Sequence, residues 1–346
     1  MRKILLILII YFLIICTSCK DNKEIHEISF VSSIGIDYKI DTNEYEVILY
    51  FINTINNVSV DYGLSEPELL GYTATSTSNS ITNAISKIQN NSETIISLKH
   101  LETVIFTETF FNKKNVLEFY NYCKNSHSFF HAFEIFITDS KLSDIYLIEN
   151  MTDSPSYYTL LTGKKTGYEY DKVLFYNFVN DILTPNYYLI YPKITVTEEY
   201  YKKNDKTFKT LSHNGYSILK EDYSLSTYNL NTIKGLKFLN DFSHYNIKIN
   251  DSLHFYLKNY KISKNIKKGE IHLKINCEVQ LIENINNLNN NKLTKEIKLF
   301  LINEINNCIN ILREDNIDIL NINLLSNNKL DYQNTLINYQ INLYFK

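Results

Sequence analysis

Cysteine is scarce in this chain, and the few cysteines exclude two ways of holding a fold together. Their positions are Cys16, Cys19, Cys123, Cys277 and Cys308. If the first two belong to an export leader and its processing site, three remain, an odd number without the close spacing of metal-binding motifs. Neither a disulfide framework nor a cysteine metal site is predicted, and buried free thiols are expected instead. Tryptophan is absent, which we attribute to an AT-rich genome rather than to function.

An excess of positive charge is also missing. The formal net charge is −3, and loss of residues 1–18, which contain Arg2 and Lys3 and no acid, would make it −5. Proteins that bind nucleic acids need a basic face to meet the phosphates. The sequence therefore predicts no nucleic-acid partner, and its mild acidity also argues against an electrostatic contribution to membrane binding.

Recognisable catalytic and metal-binding motifs are absent as well. Segment 163–166 (Gly-Lys-Lys-Thr) lacks both the upstream glycine and the hydroxyl residue after Gly-Lys that a phosphate-binding loop requires. His127 and His131 are four residues apart, but their segment runs into a predicted strand, where that spacing does not converge on a metal. No nucleophile elbow is present. We predict no catalytic residue, no metal and no cofactor, and hence a protein that is not an enzyme.

The N-terminus has the pattern of a lipoprotein signal peptide. Arg2 and Lys3 precede an apolar run over residues 4–15, and the small residues Thr17 and Ser18 precede Cys19. The run is too short for a stable membrane span, and its flanks suit a secretory signal. We predict that residues 1–18 are removed and that Cys19 carries a diacylglyceryl anchor with acyl chains such as palmitate. Cleavage by the ordinary signal peptidase and an uncleaved anchor are the alternatives.

Strands and helices alternate along the rest of the chain. Residues 28–36 and 44–52 predict an antiparallel hairpin. Apolar residues at helical spacing from Ile81 predict a helix capped by Ser78 or Ser80. Residues 297–312 predict a long helix. Segments 207–220, 234–240, 252–260, 270–283 and 336–345 are predicted strands. Because no regular strand–helix–strand repeat is visible, the prediction is an α+β, multi-domain protein with mixed or antiparallel sheets flanked by helices.

The predicted domain boundary lies in the charged, aperiodic segment 198–206. It separates an N-terminal α+β region, residues 19–200, from a C-terminal α+β domain, residues 207–346. A further sub-boundary is expected near 139–155.

Several short motifs occur in the order seen in one known family. The stretch after the predicted lipidation site ends in Gly-Ile-Asp, and its matching residues are Cys19, Asp21, Glu24, Ile25, Ile28, Gly35, Ile36 and Asp37, with Lys20 where the family has tryptophan. Further matches are Leu98-Lys-His100 before a strand, the segment 213–220 around Gly215, and the segment 233–238 around Gly235. Together they resemble the C subunits of spore germinant receptors, the GerAC-like lipoproteins.

The resemblance implies a non-enzymatic subunit with a three-domain α+β fold and no cofactor. It implies that Cys19 anchors the chain to the outer face of the spore inner membrane, beside the integral-membrane A and B subunits that respond to nutrient germinants. Asp21, Glu24, Ile25, Gly35, Asp37, His100 and Gly215 would be family-motif positions with a structural or interaction role. We further hypothesise that the hairpin within residues 28–52 docks on the partners. A solute-binding lipoprotein of a transporter and an envelope hydrolase are the competing interpretations.

Overall fold

A computed structural model describes residues 27–52, 71–126, 132–148, 172–184, 188–198, 202–203, 206–207, 209–239, 242–250, 252–327 and 329–345. The predicted leader, the lipidation site Cys19 and the motif residues Asp21, Glu24 and Ile25 lie outside these ranges. The same holds for the histidine pair at 127 and 131 and for the Gly-Lys segment at 163–166.

Most of the first two thirds of the described chain forms one mixed sheet. Its first strands are β1 (Ile28–Lys39), β2 (Glu44–Ile52), β3 (Gly71–Ser78), β4 (Ile95–Ser97), β5 (Thr103–Thr107), β6 (Glu134–Thr138) and β7 (Ile190–Thr197). A two-stranded ribbon follows, β8 (Lys202–Lys203) and β9 (Lys206–Thr207), and then β10 (Thr210–Leu219) and β11 (Leu225–Asn229). The nine-stranded sheet has the order β11-β10-β7-β6-β5-β1-β2-β3, with β4 paired to β1.

Four neighbouring strands in the middle of this sheet are parallel. β1 pairs with β5, β5 with β6, and β6 with β7, all in parallel register. β5 and β6 are buried along their whole length, as expected for parallel strands that are covered on both faces. The predicted hairpin is confirmed as β1 and β2, but both strands are interior to the sheet. Only its turn at residues 40–43 is exposed, which narrows the surface available for the hypothesised docking.

One face of the large sheet is covered by helices α1 (Ile81–Asn90), α2 (Lys113–Asn125) and α4 (Phe175–Leu183), while α3 (Leu142–Tyr146) packs on the other face. α1 begins as predicted, with the Ser80 hydroxyl accepting from the Asn83 amide at 3.2 Å. Side chains of β2 alternate between the faces: Leu49 and Phe51 join the helix-covered core and Tyr50 the opposite one. A group of aromatic rings fills the helix-covered core, among them Phe106, Phe110, Phe119, Phe133, Phe175 and Phe178.

A second sheet and one long helix form the C-terminal part. The strands are β12 (Phe242–Asn250), β13 (Leu253–Lys267), β14 (Glu270–Asn284) and β15 (Ile337–Phe345), in that order across the sheet. The long helix is α5 (Asn290–Glu314), followed by the short α6 (Ile322–Leu325). Apolar residues of α5 at helical spacing, such as Ile297, Leu301 and Ile305, are buried against this sheet, because they recur on one face of the helix.

The charged segment 198–206, the predicted domain boundary, lies between two strands of one sheet. β7 before it and β10 after it are antiparallel neighbours, so this segment is a connection within the sheet. Segment 234–240, predicted as a strand, is a 3-10 helix over Lys234–Leu239. The apolar residues of this 3-10 helix pack towards α5. One hydrophobic core extends from the face of the large sheet on which α3 packs into the C-terminal part.

The α+β class is as predicted, since parallel and antiparallel strands are combined with helices. Cys123, Cys277 and Cys308 are free and buried, as expected. None of the helices among the described residues is both long and apolar enough to cross a bilayer.

Candidate functional site

The carboxyl ends of the four parallel strands meet at one edge of the large sheet, and a cluster of polar side chains lies there. We call it the polar edge. Asp37 belongs to β1, Thr107 ends β5, Thr138 ends β6, and Thr195 lies near the end of β7. In sheets with parallel strands, this is the edge at which functional groups from distant parts of the sequence come together. The remaining members of the polar edge are Glu108, Thr109, Asp139, Ser140 and Lys193.

Lys193 is the central cation of the polar edge. Its side chain is only 8% exposed, and its Nζ lies 2.7 Å from Glu108 Oε1 and 2.9 Å from Asp139 Oδ2. Burial alone would lower the pKa of Lys193, but the hydrogen bonds and charges of the two carboxylates outweigh burial and raise it. Burial likewise opposes ionisation of Asp139, but hydrogen bonds from Lys193 and Thr195 hold the pKa of Asp139 below its ordinary value. Lys193 and Asp139 are therefore charged together and stabilise one another.

Hydroxyl groups complete the polar edge on both sides of this ion-pair group. Asp37 Oδ1 accepts hydrogen bonds from Thr107 Oγ1 and Thr109 Oγ1 at 2.5 and 2.7 Å. On the other side, Thr195 Oγ1 donates to Asp139 Oδ1 at 3.0 Å, and the Val196 amide donates to Ser140 Oγ at 3.0 Å. These bonds join the end of β1 to the end of β5, and the end of β6 to the end of β7.

The polar edge presents paired charges and hydroxyl groups that are partly open to solvent. Lys193 is bound to two carboxylates, and the carboxylates also accept hydrogen bonds from neighbouring hydroxyls. Glu108 and Asp139 remain 36% and 41% exposed, so this surface can meet a partner through directed hydrogen bonds. Among the described residues, no group of three or more His, Cys, Asp or Glu side chains is placed to hold a metal ion.

The motif residues predicted from the sequence occupy different places. Asp37 lies in the polar edge. A Cβ on Gly35 would lie 2.9 Å from the Tyr146 ring, so this glycine lets α3 pack on β1. A Cβ on Gly215 would lie 2.0 Å from the Tyr228 carbonyl oxygen, so this glycine allows β10 to approach β11. His100 is exposed and contacts Phe30 edge-on at 4.8 Å.

Sequence reasoning missed Lys193, although the sequence contains a signal for it. Lys193 is the single charged residue in the apolar segment that became β7, and a lone charge in a buried strand is expected to have a specific partner. Its two partners follow directly after other buried strands, Glu108 after β5 and Asp139 after β6.

Apart from the polar edge, the structure has a groove of about 450 Å³ between β3, α1 and the segment that leads into β4. Phe51 and Tyr72, stacked with ring centroids 4.8 Å apart, form one wall. Lys87, Asn91 and Glu93 contribute polar groups.

Comparison with known proteins identifies the relatives of this chain. A search of curated proteins finds no match. Among solved structures, one described as the crystal structure of the GerBC protein aligns with 90% of this chain and 96% of its own, at 13% sequence identity and a TM-score of 0.48. The family model described as "Spore germination protein N-terminal domain" matches residues 21–196, which is more than half of the sequence. The chain therefore belongs to the GerAC-like family of germinant receptor C subunits.

Proposed function

We propose that this protein is a lipid-anchored, non-enzymatic C subunit that acts in a nutrient germinant receptor complex during spore germination. The observation that carries the proposal is the family match, which begins at residue 21, two residues after the cysteine that ends the signal-peptide pattern. The predicted anchor therefore adjoins the family domain directly. The partners in this proposal are the integral-membrane A and B subunits of the receptor, on the outer face of the spore inner membrane.

The proposed mechanism is physical rather than chemical. A single acyl chain gives reversible membrane binding, whereas two chains hold a protein stably. Confinement at the membrane raises the effective concentration of the subunit beside its partners, so that a contact of modest affinity suffices. The polar edge and the exposed turn at 40–43 offer hydrogen-bonding groups for such a contact. The two features adjoin each other, because β1 runs from Asp37 in the polar edge directly into this turn.

A solute-binding lipoprotein is expected to have two lobes rich in strand–helix–strand units, and the sequence shows no regular repeat of that kind. Four parallel strands nevertheless lie at the centre of the large sheet. The family match, and not the sheet topology, is what favours the receptor.

Replacement of the anchoring cysteine tests the proposal. In the native spore-former, Cys19→Ala is expected to release the protein from the membrane fraction and to abolish the response to nutrient germinants. Germination triggered without nutrients should stay normal, because that route bypasses the receptor. Membrane fractionation and germination rates of the same spores measure both effects.

Cys16→Ala serves as the matched control, since it changes the neighbouring cysteine without removing the lipid acceptor. Its spores should retain the protein and germinate normally. If Cys19→Ala spores lost the protein from the membrane but still responded to every nutrient like wild type, the receptor assignment would be contradicted.

A further inference from the structure

The outer face of the C-terminal sheet has a charge opposite in sign to that of the whole chain. Inward side chains of β13 and β14, such as Phe255, Leu257 and Ile275, are buried against α5. Because side chains alternate along a strand, the residues between them point away from the core. Five exposed lysines belong to this hairpin, Lys258, Lys261, Lys267, Lys268 and Lys274, and we call them the lysine face.

The strand register shows how these charges are distributed. Lys258 lies opposite Glu278, and Lys267 lies opposite Glu270. Lys261 and Lys274 instead lie opposite the neutral residues Asn276 and Ser263. In the part of the chain that the structure describes, none of the five lysines forms an ion pair. Five lysines and only two opposing glutamates give this face a local positive excess, although the net charge of the protein is negative.

Polar side chains surround the lysine face. Asn276 bonds to Asn342 on β15 at 2.8 Å, and the Asn338 amide donates to Glu270 at 2.5 Å. Gln340 continues this row of amides opposite Lys274. Tyr344 and Ile282 are large exposed apolar side chains on the same face.

We propose that the lysine face binds the anionic headgroups of a phospholipid bilayer. The cores of protein–protein interfaces are depleted in lysine and depend on aromatic anchors, whereas this face presents exposed lysines. Lysines near an anionic leaflet are attracted by its negative surface potential without a shaped partner. The inference rests on the proposed function only in that an anchor at Cys19 would hold the chain at a membrane. The lysine face would then fix the orientation of the tethered protein.

Vesicle binding by the lipid-free mature chain tests this proposal separately from the receptor assignment. The protein used is residues 19–346 with Cys19→Ser, so that no acyl chain contributes. It is expected to cosediment with vesicles of phosphatidylcholine containing about one third phosphatidylglycerol, and not with pure phosphatidylcholine. Raised salt should release it, because the Debye length shortens from about 8 Å at physiological ionic strength to about 3 Å at 1 M.

Replacing Lys261, Lys267 and Lys274 with glutamine is expected to weaken vesicle binding about a hundredfold, at about fivefold for each lysine. The control variant carries the same change at Lys113, Lys114 and Lys124, three exposed lysines of α2, and should bind like the parent. Circular dichroism checks that both variants fold.

Three outcomes would overturn the proposal. The first is equal binding of the parent chain to neutral and anionic vesicles. The second is equal weakening in the two triple variants, which would show a net-charge effect alone. The third is binding to polyglutamate without binding to anionic vesicles, which would point to an acidic protein segment as the partner.

Discussion

Gly235→Ala is expected to destabilise the protein by about 3 kcal/mol, the upper part of the range for overpacked sites. Gly235 lies in the 3-10 helix that packs on α5, and a Cβ there would lie 2.0 Å from the Glu304 carbonyl oxygen and 2.4 Å from its carbon. Both atoms belong to the backbone of a long helix, so neither can move aside alone. Urea unfolding of the lipid-free mature chain measures the change.

Helix propensity alone would predict the opposite sign of the change in folding stability. In a helix, alanine is favoured over glycine by about 1 kcal/mol, so a gain in stability would contradict the close packing between this segment and α5. Gly35→Ala is the matched control. Its Cβ would meet side-chain atoms of Tyr146 and Leu142 at 2.9 and 3.1 Å, and these belong to the short helix α3. We expect a smaller loss there, about 1 kcal/mol.

Neutralising both carboxylates around Lys193 is expected to cost about 2 to 3 kcal/mol of folding stability. In Glu108→Gln with Asp139→Asn, the buried ammonium group keeps hydrogen-bond acceptors but loses its counter-charges. Breaking a fully buried pair costs about 3 to 5 kcal/mol. The expected value is lower because Glu108 and Asp139 are partly open to water. Denaturant unfolding at neutral pH measures it.

Lys193→Met is the informative counterpart, because it removes the cation and leaves two carboxylates that water can reach. Its expected cost is at most about 1 kcal/mol. If Lys193→Met were as destabilising as the double variant, the buried charge would not be the source of the effect.

The loss of folding stability at acidic pH gives an independent check on the pairing of Lys193 with Asp139. The pKa of Asp139 is lowered in the folded protein from an ordinary value of 3.8. Its contribution is therefore fully present above that value and is lost as the pH falls through the lowered pKa. The double variant should lack this part of the pH dependence, while Asp41→Asn, in the exposed turn at 40–43, should retain it.

Local sequence signals predicted those elements whose contacts are close in the chain. The β1–β2 hairpin, α1 with its Ser80 cap and most of α5 follow from alternation, capping chemistry and helical spacing. The α+β class follows from their sum. The motif glycines at 35, 215 and 235 are visible in the sequence. Only the fold shows why a side chain does not fit there, which is the close approach of backbone or side-chain atoms.

The parallel centre of the large sheet could not be predicted in the same way. β1 and β5 pair across more than sixty residues, and no local pattern specifies such a pairing. The polar edge depends on it, since Asp37 meets Thr107 only when the two strands are neighbours. The antiparallel pairing of β7 with β10 is a further example. A charged, aperiodic segment separates these two strands in the sequence, and no local pattern specifies that they become neighbours in one sheet.

The central claim is that this chain works as a subunit of a germinant receptor, and identifying its membrane partners tests it most directly. The measurement is mass spectrometry of proteins that copurify with the tagged, lipidated chain from detergent-solubilised spore membranes. The account predicts two polytopic membrane proteins, the A and B receptor subunits, in amounts comparable to the bait. Recovery of a transporter permease with its ATPase in their place would contradict it.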